Sequence, residues 1–167
     1  ISILEGPIHR SVVVYRDGEI LETVVSATPE LVAIDAPLTL PRRGYERNVE
    51  RMMRKMGYRL LPPLLGGMRK LTARGIRIKG ALGSRGIRSI EVHPLTSRKI
   101  LGIPERDLEG MRRFFLSIGV RGDIEWKILS IHELDALTAA VVALLHLEGL
   151  TTVVGDDEGY IVCPRLP

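Results

Sequence analysis

The segment from Ser130 to Leu147, SIHELDALTAAVVALLHL, decides the fold of this chain because it predicts one long and almost wholly apolar helix. Ser130 followed three residues later by Glu133 is typical of a capping box, which satisfies free amide groups where a helix begins. After Asp135, no Asp, Glu, Lys or Arg occurs until Glu148. A buried carboxylate is unfavourable unless a cation, a donor or a metal ion accompanies it. Asp135 is therefore the first candidate site residue.

Two short apolar runs upstream also end in carboxylates. Asp35 follows residues 32–34, and Glu91 follows residues 87–90. Ligands bind at the carboxyl ends of parallel strands in an open α/β sheet, so we expect both side chains near Asp135. Three carboxylates this close repel one another, and a hard cation such as Mg²⁺ or Mn²⁺ removes that penalty. The sequence thus predicts Asp35, Glu91 and Asp135 as both metal ligands and catalytic residues.

His132 lies three residues before Asp135, so the two side chains share a helix face. We predict His132 as a fourth catalytic residue, acting as a general base or a ligand. Each candidate also has a simpler interpretation. Asp35 could only start a turn before Pro37, Glu91 could only end a strand at the surface, Asp135 could only form a buried hydrogen bond, and His132 could only be a capping or surface residue.

Residues 42–57 predict a helix with an apolar face that includes Val49 and Met53. The opposite face is basic and predicts substrate contacts to a phosphate backbone. Its residues are Arg43, Arg47, Arg51 and Arg54. The alternative is a solvated face with two intrahelical ion pairs, Glu50–Arg54 and Arg42–Glu46.

The bulk composition is that of a globular domain. The 167 residues carry a net charge of +4, which permits an anionic partner such as nucleic acid without requiring one. No apolar run reaches transmembrane length and no signal peptide is evident, so we expect no membrane partner and a cytoplasmic location. The single cysteine, Cys163, excludes an internal disulfide. Gln is absent and Asn48 is the only Asn, a composition typical of proteins from hot environments.

The order of the remaining elements predicts an α/β fold in one domain spanning residues 1–167. Asp17-Gly18 between two β-branched runs, 11–15 and 19–25, predicts a hairpin. Residues 58–86 predict a flexible Gly-rich segment with a short helix near 64–74, and further helices are predicted at 96–101 and 105–118. The last two predicted strands are 151–154 and 160–163. Strands alternating with helices imply a mixed sheet with helices packed on it.

Four motifs in this order resemble a known family. They are IDAPLTLP at 34–41, IEVHP at 90–94, LDALTAA at 134–140 and GYIVCP at 159–164. Together they resemble the domain-of-unknown-function family numbered 429, whose members are regarded as predicted nucleases with a ribonuclease-H-like fold. The segment from His132 to Ala136 also resembles the last catalytic helix of bacterial Holliday-junction resolvases, which share that fold.

The resemblance implies a three-stranded antiparallel meander feeding a mixed five-stranded sheet, with helices on both faces. Asp35 and Glu91 would end two neighbouring strands, and Asp135, with His132, would complete the metal site. The family usually has a further acid on the first strand. Either Glu5 replaces that acid here, or the strand that carries it lies upstream of Ile1.

Three functions follow as hypotheses. The first is a metal-dependent nuclease that cleaves phosphodiester bonds of nucleic acid. The second is a catalytically silent ribonuclease-H-like module that binds nucleic acid or a protein. The third is phosphoryl transfer on a small molecule. It ranks last because no phosphate-binding loop is recognisable. The sequence leaves open whether its own sheet or a second subunit of a homo-oligomer covers the helix at 131–147.

Overall fold

The computed structural model describes residues 1–165 and has an α/β architecture in which helices and short strands alternate. The strands are β1 (Ser2–Glu5), β2 (Ile8–Ser11), β3 (Val32–Ile34), β4 (Ser89–Glu91), β5 (Arg121–Gly122), β6 (Thr151–Asp156) and β7 (Gly159–Pro164). The helices are α1 (Asp17–Ala27), α2 (Asn48–Lys55), α3 (Met68–Gly83), α4 (Pro94–Leu101), α5 (Leu108–Ser117), α6 (Asp123–Trp126) and α7 (Ile131–Leu147).

The strands form three small ladders in the described part of the chain. β1 pairs antiparallel with β2, which pairs parallel with β5. β3 and β4 form a parallel pair, and β6 and β7 an antiparallel hairpin. The prediction of an α/β fold with mixed sheets is therefore confirmed. The ladders hold three, two and two strands, in place of the five-stranded sheet that the resemblance implied.

Helix α7 is the central element, as its apolar sequence predicts. It begins with the expected capping box: the Ser130 amide donates to Glu133 Oε2 at 2.9 Å, and the Glu133 amide donates to Ser130 Oγ. One face carries Leu134 and Leu137 into a cluster with α5 and α6. Another carries Ala139 and Val142 into a cluster with β3, β4 and β7. Elements of its own chain therefore cover α7 on both of these faces.

The predicted hairpin around Asp17-Gly18 is wrong, because helix α1 begins there. The carboxylate of Glu19 accepts from the amides of Tyr15 and Arg16 at 2.8 and 2.9 Å and so caps the helix start. Asp17 forms ion pairs with arginines of α3, including Arg74 at 2.6 Å. Capping and tertiary ion pairs together outweigh the local turn signal.

Two helix boundaries also differ from the expectation. α2 begins at Asn48, so residues 42–47 are an irregular approach to it, and α3 extends to Gly83 through a segment predicted to be mostly flexible. Gly75 explains part of α3's role, because a Cβ there would lie 2.9 Å from Ala36 Cβ. This close approach packs α3 directly onto the segment that follows β3. The other predicted strands and helices form with small shifts in their ends.

Within residues 1–165, no helix combines the length and apolar character needed to cross a bilayer.

Candidate functional site

The register of β3 and β4 brings two of the predicted carboxylates to one edge. Ile34 pairs with Glu91, so Asp35 leaves β3 directly beside the end of β4. Asp135 shares a face of α7 with Ala139 and Val142, which pack on the same two strands. The charges of Asp135 and Glu91 both act on Asp35. Asp35 therefore lies within electrostatic range of Asp135 and of Glu91, and whether the three carboxylates act as one site stays a prediction.

Asp35 is the carboxylate without a partner. Its residue is exposed to solvent, and within residues 1–165 its side chain forms no hydrogen bond or ion pair. The surrounding protein reduces its hydration, and the negative charge of Asp135 adds to that effect, so the pKa of Asp35 rises from 3.8 to about 6. Arg98 opposes the rise only in part. A divalent cation at this position would relieve the same repulsion.

Asp135 is held by a buried arginine of α4. Arg98 donates from Nη1 to Asp135 Oδ1, and its side chain is only 4% exposed. Its Nε is buried and has no hydrogen-bond partner among the described residues. The Asp135 side chain remains 25% exposed, and the pair occupies one of its two oxygens. The site thus contains a fixed positive charge next to Asp135.

Glu91 lies in a different environment from the two aspartates. Arg47 donates to both of its oxygens, from Nη2 to Oε1 at 2.5 Å and from Nη1 to Oε2 at 2.8 Å. The Leu38 amide donates to Oε2 as well, at 2.7 Å. Arg47 also binds Glu50, with 2.5 Å between Nη2 and Oε1. These three charged side chains are buried, so Glu91 can ligate an ion only after Arg47 moves.

Arg47 was predicted on an exposed basic face, and that placement is wrong. Its side chain is fully buried just before α2, where it connects Glu50 with Glu91. Burial acts to lower the pKa of Arg47, but hydrogen bonds to Glu91 and Glu50 outweigh it and raise that pKa. The guanidinium therefore stays charged. Its contacts are structural ones within the chain, because no solvent reaches it.

The other three predicted substrate contacts are exposed. Arg51 and Arg54 both pair with Glu46, at 3.8 and 2.5 Å. The suggested pairs Glu50–Arg54 and Arg42–Glu46 are wrong, since Glu50 binds Arg47 and Arg42 binds Asp157. Arg43 forms no ion pair with any described residue. Whether these arginines contact a substrate stays a prediction.

His93, at the start of α4, is the histidine that the structure places at the site. Its Nδ1 accepts from the Thr96 amide at 3.3 Å, so the neutral ring carries its proton on Nε2. Burial lowers its pKa, with Asp135 opposing the shift, so the ring is neutral at pH 7. His132 is exposed in the first turn of α7, and no described residue hydrogen-bonds to its ring. Its catalytic role stays a prediction.

Glu5, the suggested first-strand acid, lies on β1 in another sheet. Its exposed side chain pairs with Arg10 at 3.3 Å. It therefore forms no part of the cluster around Asp35.

A cavity of about 340 Å³ opens beside the cluster. Its lining includes Asp35, Glu91 and His93, together with leucines from α3, α4 and the α2–α3 connection. A separate concavity of about 490 Å³ lies between α5, α6 and the start of α7, and none of the predicted site residues lines it. The chemistry-bearing groups therefore belong to the first of these two cavities.

The residues present could supply two ligands to one divalent ion. Asp35 is accessible and repelled by Asp135, and one oxygen of Asp135 is not used by Arg98. Within residues 1–165, no group of three or more His, Cys, Asp or Glu side chains is arranged to hold a metal ion. The pairing of Glu91 with Arg47 accounts for the missing third ligand.

Sequence reasoning assigned no role to Arg98 or Arg59, paired Glu50 with the wrong arginine, and included His93 only as part of the IEVHP motif. A signal existed for Arg98, which falls on the buried stripe of α4 with Pro94 and Ser97. Glu50 likewise lies between the buried residues Val49 and Met53. A charged residue inside an apolar stripe predicts a buried ion pair, but it does not identify the partner.

The chain matches no protein-family model, and no curated protein and no solved structure is similar to it.

Proposed function

We propose that the protein is a metal-dependent nuclease of ribonuclease-H-like fold, which hydrolyses phosphodiester bonds of nucleic acid. The observation that carries the proposal is the pair of aspartates Asp35 and Asp135: burial, and then repulsion from Asp135, raise the pKa of Asp35 to about 6. A site that keeps two carboxylates close together without a neutralising partner for one of them is suited to a divalent cation.

Asp35 and Asp135 would hold Mg²⁺ or Mn²⁺, and Glu91 would orient the segment after β3 through the Leu38 amide. When bound, the ion would polarise the scissile phosphate and make a nucleophilic hydroxide available near neutral pH. His93 would donate from Nε2 to a phosphate oxygen, because its Nδ1 is fixed by Thr96. Arg98 positions Asp135 and adds positive charge where negative charge develops on the phosphate.

The exposed arginines support a nucleic-acid substrate. Arg43, Arg51 and Arg54 lie before and along α2, which follows the segment that carries Asp35. Arg43 is free of ion pairs in the described chain, so it can neutralise a phosphate at no expense to another contact.

The experiment is isothermal titration of Mn²⁺ into the wild-type chain and into Asp35→Asn, Asp135→Asn and Asp157→Asn variants. Asp157 is a matched control, because its carboxylate is 74% exposed and, within residues 1–165, pairs with Arg42 alone. We expect the first two substitutions to abolish Mn²⁺ binding and Mn²⁺-dependent cleavage of single strands, duplexes and RNA, and Asp157→Asn to retain both. Equal binding by all four proteins, or binding by none, would overturn the proposal.

One observation favours a second candidate, a catalytically silent module that binds nucleic acid. Arg47 already neutralises Glu91, so two of the three predicted ligands remain available. For this function we expect binding that persists in EDTA and weakens steeply with salt, without turnover in Mn²⁺. Cleavage that requires Mn²⁺ would exclude it.

A further inference from the structure

The lining of the cavity beside Asp35 is of two chemical kinds. Asp35, Glu91 and His93 contribute polar groups. Leu60, Leu61, Met68, Leu71 and Leu95 contribute an apolar wall. Phosphates alone make no use of apolar side chains, so this wall suits a ligand that also carries an apolar part.

Several residues of this wall are unusually accessible for leucine. Leu61 is 62% exposed, Leu71 41% and Leu95 37%. Contiguous apolar surface next to polar groups is typical of ligand-binding sites. The volume of about 340 Å³ lies at the lower end of the range for small-molecule pockets, so the cavity fits one nucleotide-sized unit and no longer segment.

Arg59 supplies the cation for such a unit. Two arginines line the cavity, and Arg47 is already bound to Glu50 and Glu91. Arg59 is exposed and forms no ion pair with any described residue, so it is free to contact a phosphate. The cavity lining thus combines an apolar wall, Asp35, and one arginine, Arg59, that forms no ion pair with a described residue.

Resting on the proposed nuclease function, we infer that the substrate is single-stranded nucleic acid, with one unpaired base seated against the Leu61–Leu71–Leu95 wall and its phosphate held by Arg59, beside the ion that Asp35 would hold. A base has two apolar faces, which pack well on aliphatic side chains once they are unstacked. In a duplex those faces are covered by neighbouring base pairs, and extruding a base takes a few kcal/mol. The cavity therefore selects strands whose bases are already unpaired.

The test measures fluorescence anisotropy of labelled oligothymidylate, oligouridylate and a duplex of the same length. An abasic oligomer with the same phosphates is the fourth probe. Binding is measured in EDTA, and again in Mn²⁺ with phosphorothioate backbones that resist hydrolysis. The two variants are Leu61→Ser and Leu65→Ser. Leu65 is a matched control, because it is 51% exposed in the same α2–α3 connection but does not line the cavity.

We expect at least one of the two single strands to bind more tightly than the duplex. Leu61→Ser should weaken that binding about tenfold, since the substitution removes most of the apolar area that would cover the base. Leu65→Ser should bind as wild type, and the abasic oligomer should bind weakly and not respond to Leu61→Ser. Exposed positions make both variants fold as the wild type does.

The inference and the proposed function fail in different ways. If the wild type binds the duplex as tightly as the single strands, or Leu61→Ser binds as Leu65→Ser does, the base-pocket inference is wrong while the nuclease proposal stands. If the wild type binds none of the four probes in either buffer, the nuclease proposal is overturned as well.

Discussion

Two groups of acidic side chains lie next to each other and differ in almost every physical respect. Around Arg47, the carboxylates of Glu50 and Glu91 are buried, paired and fully hydrogen-bonded. Close to this cluster, Asp35 is exposed and has no hydrogen-bond or ion-pair partner among the described residues, and Asp135 pairs with Arg98. The same residue types thus form a structural cluster in one place and an unsatisfied one in the other.

Each cluster has one arginine and two carboxylates, so the difference lies in what that arginine reaches. In the buried cluster, one guanidinium donates to both glutamates, and a main-chain amide completes Glu91. In the accessible cluster, Arg98 donates to Asp135 but not to Asp35, whose pKa stays raised by burial and by the charge of Asp135. Unsatisfied charge in a cleft indicates a functional site more strongly than an acidic sequence pattern does.

Removing Arg47 from the buried cluster is expected to have the largest effect on stability. Arg47→Met leaves two buried glutamates without their cation, so we expect a loss of about 3–5 kcal/mol in the free energy of unfolding. Urea denaturation of the wild type and the variant measures it. The control is Arg54→Met, whose side chain is 55% exposed and which should change stability by less than about 0.5 kcal/mol. Similar small losses in both variants would contradict a structural role for the buried cluster.

Removing Arg98 should have a smaller effect, because solvent can partly hydrate Asp135. We expect Arg98→Met to lower the free energy of unfolding by about 1–3 kcal/mol and to raise the pKa of Asp35 further above 6, since Arg98 now opposes that rise. NMR titration of the Asp35 carboxyl group measures the pKa. Adding Asp135→Asn to Arg98→Met should restore most of the stability. A double variant that is no more stable than Arg98→Met would show that the Asp135 pair is not the cause.

The smallest expected effect is a pH dependence that comes from Asp35. Its folded-state pKa of about 6 lies above its ordinary value of 3.8, so the folded state holds this proton more tightly. This contribution to stability is fully present below pH 3.8 and is lost as the pH rises through about 6. We therefore expect Asp35→Asn to be more stable than the wild type at about pH 7.5 to 8, where the wild-type Asp35 is ionised. Near pH 3.8, the ordinary pKa of Asp35, the two proteins should be similarly stable. Urea denaturation at both pH values checks this, and an equal difference at both would exclude Asp35 as the source.

The α/β class and the positions of Asp35 after a strand and Asp135 on a helix were predictable from the sequence because they depend on local pattern. Asp35 ends a buried apolar run, and Asp135 recurs with Ala139 and Val142 at the spacing of one helix face. Each pattern depends only on residues of the same strand or helix. They therefore survive without knowledge of the tertiary structure.

The features that were mispredicted depend on distant residues. Asp17-Gly18 has the local chemistry of a turn, but Arg74, far along the chain, pairs with Asp17 and supports a helix instead. Arg47 has the spacing of an exposed basic stripe, and its burial follows only from Glu91 lying opposite. The periodicity of one segment does not identify its ion-pair partner in another segment, so these contacts could not be predicted from a single segment.

Helix α7 joins the two halves of the core, since Leu134 and Leu137 pack with α5 and α6 while Ala139 and Val142 pack with β3, β4 and β7. A helix shared in this way makes unfolding cooperative, because neither half can open while α7 keeps its contacts with the other. Asp135 lies on this helix, so we expect its backbone amide to exchange hydrogen only through global opening. The position of Asp135 should then be as stable as the fold as a whole.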